Sequence, residues 1–173
     1  GRAAGIALVP EDRKAQGIIP LLSVRENFTL PVIQRLTKGM LIWLRSERSI
    51  VRRFADRLKL NPPQIERPLS VFSGGNQQKA VLGKWLLAEP TLLILDEPTR
   101  GVDVGAKADI HEIIGEFAKE GGGVLMISSE LPELLAVCDR IFVLHEGHLV
   151  QEIARADATE ESVMRAATGQ VVA

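Results

Sequence analysis

The sequence predicts an α/β fold, a mostly parallel sheet accompanied by a helical subdomain. Three observations carry this. Leu92-Leu93-Ile94-Leu95 is an apolar run of strand length, continuous rather than alternating, as expected of a strand buried on both faces of a parallel sheet. Val124 to Ile127 reads as a second such strand, and between the two Ile110, Ile113, Ile114 and Phe117 recur at helical offsets. Residues 23 to 90 carry helix signals instead.

In chain order, Gly5 to Val9 is a short apolar strand ending at Pro10, and Glu11-Asp12-Arg13-Lys14 is its charged exit. Ser23-Val24-Arg25-Glu26 reads as a capping box opening a helix that Pro31 limits. Beyond a patch containing Gly39, the run Arg45 to Leu60 places Ile50, Phe54 and Leu58 on one face and Arg48, Arg52, Arg53 and Arg57 largely elsewhere. Asn61-Pro62-Pro63 ends it. Ser73 sits where an N-cap belongs, with Leu82, Trp85 and Leu86 marking the helix behind it and Pro90 closing the segment. The helix Gly105 to Glu120 stops at Gly121-Gly122-Gly123. Ser129 is a candidate cap for a helix containing Pro132. Arg140 to Leu144 and Leu149 to Ile153 form a hairpin around Glu146-Gly147-His148. Thr159-Glu160-Glu161-Ser162 starts a last helix, after which Thr168 to Ala173 is expected to fray.

The 173 residues suit one domain with a sizeable core, at 46% hydrophobic and 25% charged. No apolar run reaches the ~18 residues of a membrane-spanning helix, and no signal peptide is visible. The single Cys138 excludes an internal disulfide and fits inert packing in a reducing compartment. His111, His145 and His148 are too scattered for a zinc set. Residues 1 to 68 hold 13 basic and 6 acidic side chains, and the remainder 8 and 16. That asymmetry reads as a solvated helical face or a partner surface, and scarce aromatics argue against nucleic acid.

Two stretches carry chemistry. At Ser73-Gly74-Gly75 the free amides of a helix's first turn, unshielded by side chains, offer a phosphate site, although the same residues also suit a plain capped helix. Asp96 and Glu97 follow the strand Leu92 to Leu95, where ligands of parallel sheets bind. Adjacent carboxylates there need a cation or a proton-transfer task, with Asp96 suited to hydrated Mg²⁺ and Glu97 to polarising a water.

Ser73-Gly74-Gly75-Asn76-Gln77-Gln78-Lys79 resembles the signature motif of ABC transporter ATPases, and Leu92-Leu93-Ile94-Leu95-Asp96-Glu97-Pro98-Thr99 resembles their Walker B strand with its catalytic glutamate. Arg100-Gly101-Val102-Asp103 is similar to the D-loop of the monosaccharide importers, in the spelling typical of the second of their two fused ATPase domains. The resemblance covers Ile6 to about Gly169 and implies a P-loop NTPase fold. It also implies ATP and Mg²⁺ as cofactors, with Glu97 catalytic and Asp96 holding the metal. Ser73, Gly74, Gly75 and Gln77 would then bind a nucleotide held by a partner ATPase domain in trans, and Asp103 would join it from the D-loop. Glu11 stands where most members have the Q-loop glutamine, so a carboxylate would reach Mg²⁺ through water there, and Ser129 stands in the slot of the switch histidine.

By the same resemblance, residues 1–22 form a strand and Q-loop-like region and 23–90 the helical signature subdomain. Residues 91–155 would hold Walker B, D-loop, switch and C-terminal strands, and 156–173 a C-terminal helix and tail. The implied partners are a second ATPase domain, a membrane permease and, indirectly, an extracytoplasmic sugar-binding protein, at the cytoplasmic face of the membrane. No Gly-x-x-x-x-Gly-Lys-Ser/Thr loop occurs in the sequence. The expectation is therefore a fragment lacking the Walker A segment, inactive as an ATPase by itself and prone to self-association. A non-transport ABC ATPase and a regulatory module without hydrolysis are the alternatives. The intact Asp96-Glu97 pair speaks against the second, and Glu11 and Ser129 speak for it.

Overall fold

A computed structural model describes residues 4–38 and 41–169, and the chain divides into two units, Gly1–Ile127 and Ser128–Ala173. The patch at Gly39 and the tail from Gln170 lie outside the described residues. In the first unit the order is β1 (Ile6–Val9), α1 (Val24–Thr29), a small hairpin of β2 (Thr37–Lys38) and β3 (Leu41–Ile42), α2 (Leu44–Arg57), α3 (Gly74–Leu86), β4 (Leu92–Asp96), α4 (Val104–Lys119) and β5 (Gly123–Ile127). The second unit contains α5 (Leu131–Val137), β6 (Arg140–His145), β7 (His148–Ala154) and α6 (Glu160–Ala167).

β4 is the middle strand of a parallel sheet ordered β1-β4-β5, with Val9 beside Leu95 and Asp96 beside Ile127. All three strands therefore run out at one edge, which is where chemistry gathers in such sheets. The expectation that β4 is buried on both faces needs correction. Leu93 and Leu95 are buried with Ala7 and Val9, whereas Ile94 on the opposite face is only half-buried, between Leu8 and Leu125 at 49% and 47% exposure. A continuous apolar run reports hydrophobic character on both faces, not what covers them.

The helical region forms as its local signals predict. Ser23 and Glu26 close a reciprocal capping box on α1, and the hydroxyl and backbone bonds from Ser23 hold the Glu26 carboxyl below the usual carboxylate range. α1 stops at Thr29, and a 3₁₀ run carrying Pro31 at its start continues to Arg35. In α2 the buried stripe is Glu47, Val51 and Ala55, leading to Leu58, rather than one centred on Ile50 and Phe54. The helix is turned because Glu47 is drawn inside: its carboxylate accepts from Arg25 at 2.7 Å and from the Thr29 hydroxyl at 2.8 Å. A buried charge is tolerable only when paired and hydrogen-bonded in this way.

In the second unit β6 and β7 form the expected antiparallel hairpin, turning through Glu146 and Gly147, both at positive φ. Ile141, Val143, Ile153, Val163 and Ala166 pack beneath it. α6 opens with a capping box from Thr159 and Ser162.

Candidate functional site

Ser73 is the exposed N-cap of α3. Its Oγ accepts the backbone N–H of Asn76 at 3.4 Å and the Asn76 side-chain amide at 2.9 Å, so its own O–H remains to donate outward. Asn76 is in turn fixed by two bonds with the Asn61 backbone, at 3.0 and 2.7 Å. The amides of Gly74, half-buried, and Gly75, buried, precede the first intrahelical donor at the positive end of a 13-residue helix. Neither glycine tolerates a side chain freely. A Cβ on Gly75 would stand 2.5 Å from the Cβ of Ala106, and one on Gly74 would stand 2.7 Å from Nη2 of Arg13.

Gln77 lies elsewhere than expected. It is 6% exposed, and its amide nitrogen donates to the carbonyls of Phe72 and Leu69 at 3.0 and 3.3 Å. A side chain so held braces the loop that enters the helix.

At the sheet edge Asp96 ends β4, half-buried and with no side-chain partner among the described residues. Glu97 follows at φ 48°, a left-handed conformation that costs a non-glycine residue about 1–2 kcal/mol. Its N–H donates to the Ile127 carbonyl at 2.9 Å, which holds the turn. Glu11 leaves β1 two positions beyond Val9 and ion-pairs with Arg100, which offsets its negative charge. Among the described residues no three His, Cys, Asp or Glu side chains cluster as a metal cage. Mg²⁺ on a polyphosphate needs only one or two carboxylates, and the unpaired Asp96 suits it.

The helix start and the loop after Glu97 come together. Asp103 caps α4 by accepting the Ala106 N–H at 2.9 Å, and its other oxygen lies 3.4 Å from the position of a Cβ on Gly75. Arg13 completes the junction: Nη1 donates to the Arg100 carbonyl at 3.1 Å while Nη2 abuts Gly74. Below it, the buried Lys79 of α3 bonds Asp109 of α4 at 2.6 Å. The sequence reading gave Arg13, Lys79 and Asp109 no role. Arg13 carried only a charge in a polar loop, and the Lys79–Asp109 contact spans 30 residues with no local signature.

In the second unit Ser129 is exposed and does not cap α5, whose N-cap is Glu130 without a side-chain bond. The neighbouring Ser128 accepts the Glu130 N–H at 3.0 Å and donates to the buried Glu133 at 2.5 Å.

A parallel sheet with carboxylates at its exit and a capped glycine turn on the adjoining helix defines the chain as an ATP-binding cassette fold. Two solved structures share it. The protein cbiO1 from Clostridium perfringens, part of the ABC transporter complex cbiONQ, matches with a TM-score of 0.75 at 23% identity over 94% of this chain and 62% of its own. The cassette MJ0796, as a post-hydrolysis dimer bound to ADP and Pi, matches with 0.73 at 22% over 87% and 62%. The family model described as ABC transporter matches residues 2–100, and the chain belongs to that family. It is similar to a putative ribose/galactose/methyl galactoside import ATP-binding protein of Agrobacterium fabrum, 53% identical over 96% of this chain and 34% of that protein. A ribose import ATP-binding protein of Streptomyces coelicolor is 50% identical over 99% and 34%. An L-arabinose transport ATP-binding protein of Geobacillus stearothermophilus is 48% identical over 96% and 32%. The chain spans about one third of the length of these relatives.

Proposed function

We propose that this chain is part of the ATP-binding subunit of a monosaccharide importer, coupling MgATP hydrolysis at the cytoplasmic membrane face to sugar uptake through a permease. One observation carries the reading: in a chain 53% identical to a sugar-import ATP-binding protein, an exposed hydroxyl followed by two glycines opens α3 while two carboxylates stand at the exit of β4. ATP with Mg²⁺, when bound, supplies the transferable phosphoryl group and the charge neutralisation that phosphoryl transfer needs.

The side chains divide the work by chemistry. Glu97 would orient and polarise the attacking water and Asp96 would hold Mg²⁺, and Glu11, paired with Arg100, would reach the metal through water. Ser73, Gly74 and Gly75 donate to the phosphates of a nucleotide carried by a second ATPase domain, with Asp103 beside them. Gln77 keeps that turn in place, and Ser129 supplies a hydroxyl donor where an imidazole would be charged.

The test uses the full-length protein that contains this sequence. It is expected to copurify with a multi-span membrane subunit and to hydrolyse MgATP faster when a sugar-loaded binding protein is added. Copurification with ribosomes or DNA, and no response to sugar, would overturn the reading.

A further inference from the structure

An exposed apolar step stands at the start of α2. Leu41, Trp43 and Leu44 are 74%, 59% and 47% exposed. The chain runs from them directly into a helix whose outer side carries Arg45, Arg48, Arg52 and Arg53, all exposed. Leu44, Arg48 and Arg52 fall four residues apart, on one stripe. Arg48 is bonded to Glu66 at 2.7 Å, whereas the Arg45, Arg52 and Arg53 side chains have no ion-pair or hydrogen-bond partner among the described residues. The nearby acids are committed elsewhere. Glu47 is buried under Arg25 and Thr29, Glu66 bridges Arg25 and Arg48, and Asp56 alone borders the basic depression, at its far end.

We propose that this patch docks on the surface of a bilayer containing anionic phospholipid, Trp43, Leu41 and Leu44 entering the headgroup layer while Arg45, Arg52 and Arg53 bind lipid phosphates. Charge complementarity selects this occupant. Three unpaired guanidinium groups on long stems beside an indole and two leucines match a fluid layer of negative charge over hydrocarbon. An indole is favoured at that depth because its ring is apolar and its N–H remains polar. The contact requires no nucleotide and no sugar, so it stands apart from the import reading.

The experiment uses the full-length protein that contains this sequence, with vesicles of phosphatidylcholine alone and of phosphatidylcholine mixed with phosphatidylglycerol. Cosedimentation is read alongside the emission of Trp43 in a background whose other tryptophans are changed to Phe, Trp85 among them, a tolerable change there because its buried Nε1 has no partner. Binding is expected to the anionic vesicles only, with a blue shift of Trp43 emission and a decline as salt rises. Arg52→Gln and Arg53→Gln are each expected to weaken partitioning about fivefold. Trp43→Ser weakens it at unchanged thermal midpoint, and Arg45→Lys, which keeps the charge, retains it. Equal binding to neutral vesicles, no binding to either, or binding indifferent to these substitutions would overturn the proposal. So would capture by a detergent-solubilised membrane subunit through the same residues without vesicle binding, which would assign the patch to a protein partner.

Discussion

Lys79 Nζ lies 2.6 Å from Asp109 Oδ2, and this pair ties the helix that begins at Ser73 to the helix that begins at Asp103. Lys79 is 5% exposed and also donates to the Lys59 carbonyl at 3.1 Å, so the cation is wholly engaged inside the protein. The two loops assigned to nucleotide binding thus rest on one ion pair.

Asp109→Ala strands a buried ammonium and is expected to cost about 3 kcal/mol or more, read by urea unfolding. Lys79→Met leaves behind a carboxylate that water can reach and costs less. The Lys79 hydrogen bond, against the opposing effect of burial, holds the Asp109 carboxyl below its ordinary value. A group with a depressed folded pKa contributes stability that is complete above the unfolded pKa and is lost as pH falls through the folded one. Unfolding free energy should therefore drop below about pH 4 in the parent chain and lose part of that slope in Asp109→Ala. An unchanged pH profile would count against the pair.

The two glycines of the signature turn should respond differently to alanine. At Gly75 the new Cβ meets Ala106 at 2.5 Å, between two helices that Lys79 and Asp109 hold together, so Gly75→Ala should destabilise by about 1–3 kcal/mol. Ala106→Gly should relieve it in the double variant. At Gly74 the Cβ meets the end of Arg13 at 2.7 Å, which can swing aside, and the Gly101 carbonyl at an ordinary 3.4 Å, so Gly74→Ala should cost less stability than Gly75→Ala and lower MgATP turnover in the full-length protein. Equal losses of stability at both positions would contradict the packing described.

Glu97→Gln keeps the size and hydrogen-bonding reach of the side chain and removes its charge. In the full-length protein, with the other ATPase domain silenced, it should retain MgATP binding and lose turnover by about a hundredfold or more. Unchanged turnover would favour a regulatory module over an enzyme at this site.

What was legible in the sequence was local. Ser73 as a cap, the Ser23–Glu26 box and the strand ending at Asp96 were each written within a few adjacent residues, because capping and strand exit are short-range events. The misread features were set by distant partners. α2 turned because Arg25 and Thr29, on another helix, accept a carboxylate into the core, and Gln77 faces inward because the Phe72 and Leu69 carbonyls take its amide. Arg13 could have been suspected as the basic residue two positions after Glu11, but only folding brings it against Gly74 and Arg100.

The pairing of Glu11 with Arg100 makes a further prediction. The Glu11 carboxylate would repel a polyphosphate bound nearby, and Arg100 offsets that charge while its own carbonyl accepts from Arg13. Arg100→Gln frees the Glu11 carboxylate and should raise KM for MgATP in the full-length protein more than it lowers kcat. Glu11→Gln removes the charge that needed offsetting, so the double variant should recover much of the lost affinity, giving a coupling of about 1 kcal/mol between the two positions. The pair is half exposed, so the coupling should shrink as salt is raised. Additive losses in the double variant would mean that Arg100 acts on the loop through its backbone and not on Glu11 through its charge.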